Sequence, residues 1–327
     1  MRTPCVLLAL AALVAGCGST GTSPPGPRSH VVVVVMENKA YLDVLDSPDA
    51  PFLNSLVPRA AVPDQMFGVA HPSLTNYLAL TGGRTNTVTQ DCTSCHFHNP
   101  NIADQLEGNG RTWKGYMEGL PRPCFKGAFA GHWDQKANRR LVDPNAQDRS
   151  RGGFGSAYAK KHDPFMYYDQ IRDNPRRCAH VVPLAQLTAD IRGGGLPDYS
   201  FVSPDLCNAM HDCKVPAGDR FLARVVPPIL RDLGPHGFLV ITWDEGRTNR
   251  GCCDHRAKGG RIPTLILGPD VRPGAKGSGP YDHYSTLRTI EDAFGLSHIA
   301  LAADPGTRPL DALFYRPPRF SADHEGG

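Results

Sequence analysis

The sequence predicts an α/β fold: a three-layer sandwich around a mostly parallel, doubly wound sheet, with a disulfide-containing cap or insertion. Three observations carry this. Residues 31–36 (VVVVVM) and 238–243 (FLVITW) are continuous apolar runs without alternation, the pattern of strands buried on both faces. Helical patterns lie between such runs, as strand–helix alternation around a parallel sheet requires. Both runs end abruptly in acidic or amide residues, Glu37-Asn38 and Asp244-Glu245. In open α/β sheets ligands bind beyond the carboxyl ends of the strands, so these ends mark a site.

Taken in order, residues 1–17 read as a targeting segment. Arg2 gives a basic start, residues 5–14 are apolar, and small residues precede Cys17. The apolar stretch is too short to span a bilayer. Val14-Ala15-Gly16-Cys17 resembles a bacterial lipobox, which implies lipidation at Cys17 and an exported, membrane-anchored cell-envelope protein; an ordinary secretory signal is the alternative. Residues 18–29, with STGTSPPGP, form a flexible tether. Residues 30–315 form a single catalytic domain and residues 316–327 a polar tail.

Within the domain, 31–36 is the first strand and 51–61 a helix. A second helix over 73–81 stops at Gly82-Gly83. Residues 91–177, rich in Gly, Pro, Cys and aromatics, form a cap or insertion over the sheet edge, with one helix within 160–174. Strands follow at 199–202, 238–243 and 262–267. The helix over 220–233 should kink or split at Pro227-Pro228. A last helix over 284–294 closes at Gly295.

The charges balance closely, 35 basic against 32 acidic residues, with no basic stripe; this argues against a nucleic-acid partner. Nothing implies an obligate protein partner. Of ten cysteines, eight remain once Cys5 is removed and Cys17 lipidated. In an exported chain they form disulfides, most simply Cys92–Cys95, Cys207–Cys213 and Cys252–Cys253, leaving Cys124–Cys178 as the long-range pair. The alternative for Cys92 and Cys95, zinc with His96 and His98, suits an oxidising compartment less well.

Ser73 stands at the predicted start of a helix, where unpaired N–H groups and the dipole favour a phosphate. The reading is a nucleophile, with Thr75 as the rival hydroxyl and Asn76 donating its amide to a phosphate oxygen. Glu37, Asn38, Asp244 and Glu245 offer oxygen ligands that, with Ser73, favour Ca²⁺, Mg²⁺ or Mn²⁺; histidine ligands would shift the preference to Zn²⁺ or Fe. His211, in a loop stapled by Cys207–Cys213, suits a ligand or general acid. Asp205, Asp212, His71, His255 and His283 are additional candidates.

Six ordered segments, MENKAY, HPSLTNYLALTGG, SPDLCNAMHD, ITWDEG, RIPTLILGP and YDHYSTLRTIEDAFGL, are similar to the phosphoesterase family of bacterial acid phosphatases and non-specific phospholipases C, within the alkaline phosphatase superfamily. The resemblance spans about residues 31–296. It implies a metal-assisted serine mechanism, with Glu37, Asn38, Asp244 and Glu245 as metal ligands, Ser73 as nucleophile and His211 as an active-site histidine. Glu245 stands where two-metal superfamily members carry histidine, which implies one bound metal. Asp205 and Ala209 depart from the family's loop, an acid gained and an acid lost. The expected function is a phosphomonoesterase acting on a small phosphate ester or a phospholipid. Alternatives are a phospholipase C-type phosphodiesterase and a non-catalytic cation-binding lipoprotein.

Overall fold

Val31–Met36 forms strand β1, with every residue at most 1% exposed, as an unalternating valine run between two covering layers demands. The computed structural model describes residues 28–134, 139–141, 157–254 and 256–320, with backbone alone over 132–134 and 139–141. The targeting segment with Cys17, the tether to residue 27, His255 and residues 321–327 lie outside the described residues.

The principal sheet adds β2 (Trp113–Met117), β3 (Val181–Pro183), β4 (Tyr199–Ser203), β5 (Phe238–Trp243) and β6 (Thr264–Leu267). Its order is β6-β5-β1-β4-β2-β3, all parallel except β6, which runs antiparallel to β5. The register pairs Met36 with Trp243, so Glu37 and Asp244 leave adjacent strands side by side.

Helices α1 (Pro51–Leu56), α2 (Ser73–Gly82), α3 (Ile102–Gly108), α4 (Ala185–Arg192), α5 (Val215–Asp232) and α6 (His283–Phe294) connect and flank the strands. All ten residues of α2 are buried, because it packs between α6 and the 3₁₀ turn Lys160–His162. A helix covered all round needs no polar face, which is why its amphipathicity is weak. It ends on Gly83 at φ +67°, where an added Cβ would sit 2.6 Å from the Ile299 carbonyl oxygen. Helix α6 starts under an Asp282 cap and ends on Gly295 at φ +66°.

Several expectations are corrected. Helix α5 continues through Pro227 and Pro228, so it is not split there. The carbonyls these prolines orphan belong to Ala223 and Arg224, both exposed, so solvent is available to them. The region 91–177 is not simply a cap: it supplies α3 and the sheet strand β2. Its 160–174 stretch holds the expected helix, the short Asp169–Arg172, after two 3₁₀ turns. The tail is packed as far as Phe320, whose ring meets Phe294 and Phe238. Disulfides join Cys92 to Cys95, Cys124 to Cys178, Cys207 to Cys213 and Cys252 to Cys253. With Cys92 and Cys95 so joined, the zinc alternative loses its thiolates; His96 pairs instead with Asp169 at 2.8 Å.

Candidate active site

The β1 and β5 ends bring three acids together. Glu37 is fully buried, Asp244 fully buried and Glu245 nearly so. The backbone N–H of Asn38 donates to Asp244 Oδ1 at 2.9 Å, and the Asp244 N–H donates to the Met36 carbonyl at 2.9 Å. Asp244 Oδ2 is buried with no hydrogen-bond partner. Burial, then the charges of Glu37 and Glu245, push the Asp244 carboxyl well above the carboxylate range. Burial likewise lifts Glu245 to about 7, with His71 pulling it down and Glu37 raising it.

Glu37 is the hub. Its Oε2 accepts from the Ser73 hydroxyl at 3.0 Å and the Asn38 amide at 3.3 Å. Its Oε1 accepts from the Tyr77 hydroxyl at 2.5 Å and lies 3.0 Å from His162 Nε2. Burial alone would raise its pKa, but His162, Lys161 and His211 outweigh burial and hold it below the usual range. Tyr77 lies one helical turn after Ser73, so both hydroxyls project from one face of α2 towards the same carboxylate. The tyrosine ring stacks on His162 at 5.2 Å.

His211 sits beside this hub, its ring 5.8 Å from that of His162. Its Nδ1 lies 2.6 Å from Asp212 Oδ1 and its Nε2 3.2 Å from Lys161 Nζ. These partners assign the proton to Nδ1 and the lone pair to Nε2. Lys161 also donates to Asp91 Oδ2 at 2.9 Å, and Asp91 Oδ1 accepts the Leu74 N–H at 3.1 Å. Burial opposes the Lys161 charge, but Glu37 and Asp91 outweigh it and raise its pKa.

The predicted residues thus separate into groups. Glu37, Asn38, Ser73, Asp244 and Glu245 share the strand ends, with His211 and Asp212 beside them. His71 Nδ1 lies 2.6 Å from Glu245 Oε2, and His283 Nε2 2.6 Å from the Asp244 carbonyl oxygen. Burial lowers His283 to about 4, so it stays neutral.

Two expectations change. Asn76 does not present its amide to a phosphate: its oxygen accepts the Val69 and Ala70 N–H groups at 2.7 and 3.2 Å, and its nitrogen donates to the Ala70 carbonyl at 2.7 Å. Asp205 Oδ1 caps its own loop by accepting from the Cys207 and Asn208 N–H groups. The start of α2 is only partly open to an anion, because Asp91 occupies the Leu74 N–H. Thr75, the rival hydroxyl, is buried and donates to the Pro72 carbonyl.

Sequence reasoning missed Tyr77, Asp91, Lys161 and His162. The i,i+4 spacing from Ser73 could have found Tyr77. No local signal marks the other three.

The residues fit a divalent cation. Asp244 Oδ2 is buried with no hydrogen-bond partner, and Glu37, His162 and His211 bring ligand atoms within 4.8 Å of one another, so a divalent ion would find both an open carboxylate oxygen and mixed oxygen and nitrogen donors.

The chain matches the model of the Phosphoesterase family over residues 39–297. It is 30% identical over 280 residues to a phosphatidylinositol-3-phosphatase of Mycobacterium tuberculosis, covering 84% of this chain and 80% of that protein. It is 26% identical to a probable acid phosphatase of Kluyveromyces lactis and 24% identical to an acid phosphatase of Aspergillus fumigatus, covering 71% and 84% of this chain. The matched regions span only 51% and 59% of those two fungal proteins. The fold is shared with a protein in the alkaline phosphatase superfamily from Vibrio parahaemolyticus, at TM-score 0.51 and 14% identity over 86% of this chain and 71% of that one. The lipoteichoic acid synthase LtaP from Listeria monocytogenes aligns at TM-score 0.50 and 11% identity, over 88% and 76%. With an alkaline phosphatase-like sheet and buried acids at its strand ends, the chain belongs to the Phosphoesterase family, hydrolases of phosphoric esters.

Proposed function

We propose that the chain is an exported, lipid-anchored phosphomonoesterase with an acidic optimum, acting through a phosphoserine at Ser73. The observation that carries this is the Ser73 hydroxyl, set at the start of a buried helix and donating to Glu37 at 3.0 Å beside Asp244. A nucleophile needs a partner that draws its proton and a scaffold that fixes its direction, and Ser73 has both.

Glu37, Asn38, Ser73, Asp244 and Glu245 would hold one divalent ion, with Ca²⁺, Mg²⁺ or Mn²⁺ favoured. Such an ion supplies a lowered serine pKa and charge neutralisation at the phosphoryl group. In the first half-reaction Ser73 Oγ attacks phosphorus in line; the Oγ–P bond forms as the bond to the departing alcohol breaks. His211, once protonated at Nε2, returns a proton to that oxygen. The Ser73 hydroxyl proton passes to Glu37 in that step; in the second half-reaction the neutral Nε2 takes a proton from water, whose oxygen bonds to phosphorus as the Ser73 Oγ–P bond breaks, and Glu37 returns the proton to Oγ. Asp212 holds the ring for both roles. His71 steadies Glu245, and Asn76 fixes the loop ahead of α2.

One relative is named for a phosphatidylinositol phosphate, a monoester carried on a lipid. An anchored enzyme would meet such a headgroup at the membrane surface, so it belongs among the substrates to be assayed. Among the described residues no helix is long and apolar enough to cross a membrane.

The test compares p-nitrophenyl phosphate with bis-p-nitrophenyl phosphate, with and without chelator. Ser73→Ala should lose monoester turnover by at least about 10³-fold, and chelation should abolish it reversibly. Preference for the diester would favour the phospholipase C reading. Cation binding without turnover would favour a binding lipoprotein.

A further inference from the structure

We propose that Lys161 is the charge-recognition residue of the site, and that it sets the preference for a doubly charged phosphomonoester over a singly charged diester. The inference rests on the phosphomonoesterase reading and assigns its substrate selectivity to one side chain.

The argument starts from placement. Lys161 comes from the 91–177 region, on the 3₁₀ turn Lys160–His162, which packs against α2. Its neighbour His162 lies 3.0 Å from Glu37, the carboxylate bound to the Ser73 hydroxyl. Its ammonium lies 3.2 Å from His211 Nε2, the atom to which the proposed mechanism gives the leaving oxygen. Through Asp91 it is linked to the Leu74 N–H, the residue after the nucleophile. One cation therefore borders the nucleophile's helix start and the leaving-group histidine at once.

The ion pair with Asp91 shows what the ammonium is built to hold. Asp91 places a carboxylate between a helix-start N–H and a lysine, two groups that suit an oxyanion. The Lys161 and Asp91 side chains are 16% and 25% exposed, so the pair borders solvent and a diffusing anion can compete for the lysine. A compact ammonium acts as a point charge whose attraction grows with the charge of its partner. A monoester dianion offers twice the charge of a diester. A diester also places a second alkoxy group where that charge would be.

The experiment measures kcat/KM for both p-nitrophenyl esters and inhibition by inorganic phosphate, in metal-replete Lys161→Gln, Lys161→Arg and Asp91→Asn. Lys161→Gln should lose on the order of 10- to 100-fold in monoester kcat/KM, a charge-assisted contact's worth, and less than about threefold with the diester. Its inhibition constant for phosphate should rise in step. Lys161→Arg should recover most of the selectivity, which also shows that the turn still folds. Asp91→Asn should bind phosphate more tightly. Equal losses on both esters, or an unchanged phosphate constant, would overturn the assignment. Wild-type protein that prefers the diester would instead overturn the underlying reading, so the two failures are distinct.

Discussion

Asn76 is wholly buried, and three hydrogen bonds tie its amide to the backbone at Val69 and Ala70. It therefore acts at a distance from any substrate, fixing the approach of the chain to Ser73. Asn76→Ala should destabilise the protein by about 1–3 kcal/mol, the cost of leaving buried N–H groups unsatisfied. It should also lower kcat more than it raises KM. Thermal unfolding together with steady-state kinetics checks both; a large KM change at constant kcat would instead restore a substrate contact. At this scale the sequence was legible where residue type and position coincided: Glu37, Asp244 and Glu245 are acids at the ends of buried strands, and Ser73 is a hydroxyl at a helix start. It misled at Asn76, because an amide that binds backbone and one that binds phosphate look alike in a string of letters. Lys161 and His162 were illegible, because they reach the site through a fold of the chain that no local pattern encodes.

Elements position these residues by close backbone approach. Met66–Phe67 pairs with Tyr281–Asp282, and the chain then passes directly over the Asp244-Glu245 turn. A Cβ on Gly68 would lie 2.6 Å from the Asp244 carbonyl oxygen and 2.9 Å from that of Gly259, both rigid backbone atoms. Gly68→Ala should therefore shift the Asp244 peptide, cutting activity at least about tenfold and weakening cation affinity at modest cost in folding; isothermal titration with the cation reads the second effect. Unchanged affinity would show that the turn yields without moving its acids. The continuous strands β1 and β5 and the Gly-stopped helices α2 and α6 were readable because their periodicity and stop signals are local. A split of helix α5 was misjudged because tolerance of two prolines depends on which face their orphaned carbonyls occupy. Strand β2 was missed within a glycine- and cysteine-rich region, where a five-residue strand has too few positions to show a period.

Over the whole molecule, the acid cluster sets a pH dependence of stability. Glu245 has a folded-state pKa near 7 against 4.5 for the free side chain. Below 4.5 it is protonated in both states and neutral to stability. Between 4.5 and 7 the unfolded chain ionises first, so the folded state loses ground as pH rises, and above about 7 the full cost is present. In chelator, Glu245→Gln should gain stability over wild type as pH rises through that window. With the cation added the order should reverse, since the carboxylate then gains a ligand's role. Urea unfolding at pH 4.5 and 7.5, with and without the cation, tests this; a difference independent of pH would refute the account. His162 and His283, both lowered by burial, work in the opposite direction in both proteins and cancel in the comparison.

Strand order carries one more consequence. Glu37, Ser73, Lys161, His162, His211 and Asp244 are scattered over more than two hundred positions, yet they meet where β1, β5 and the loop after β4 emerge side by side. No contiguous stretch contains the reaction centre, and no sub-assembly of neighbouring elements completes it. Catalytic competence should therefore arrive all at once during renaturation, with the last long-range pairing, and partial structures along the way should be silent.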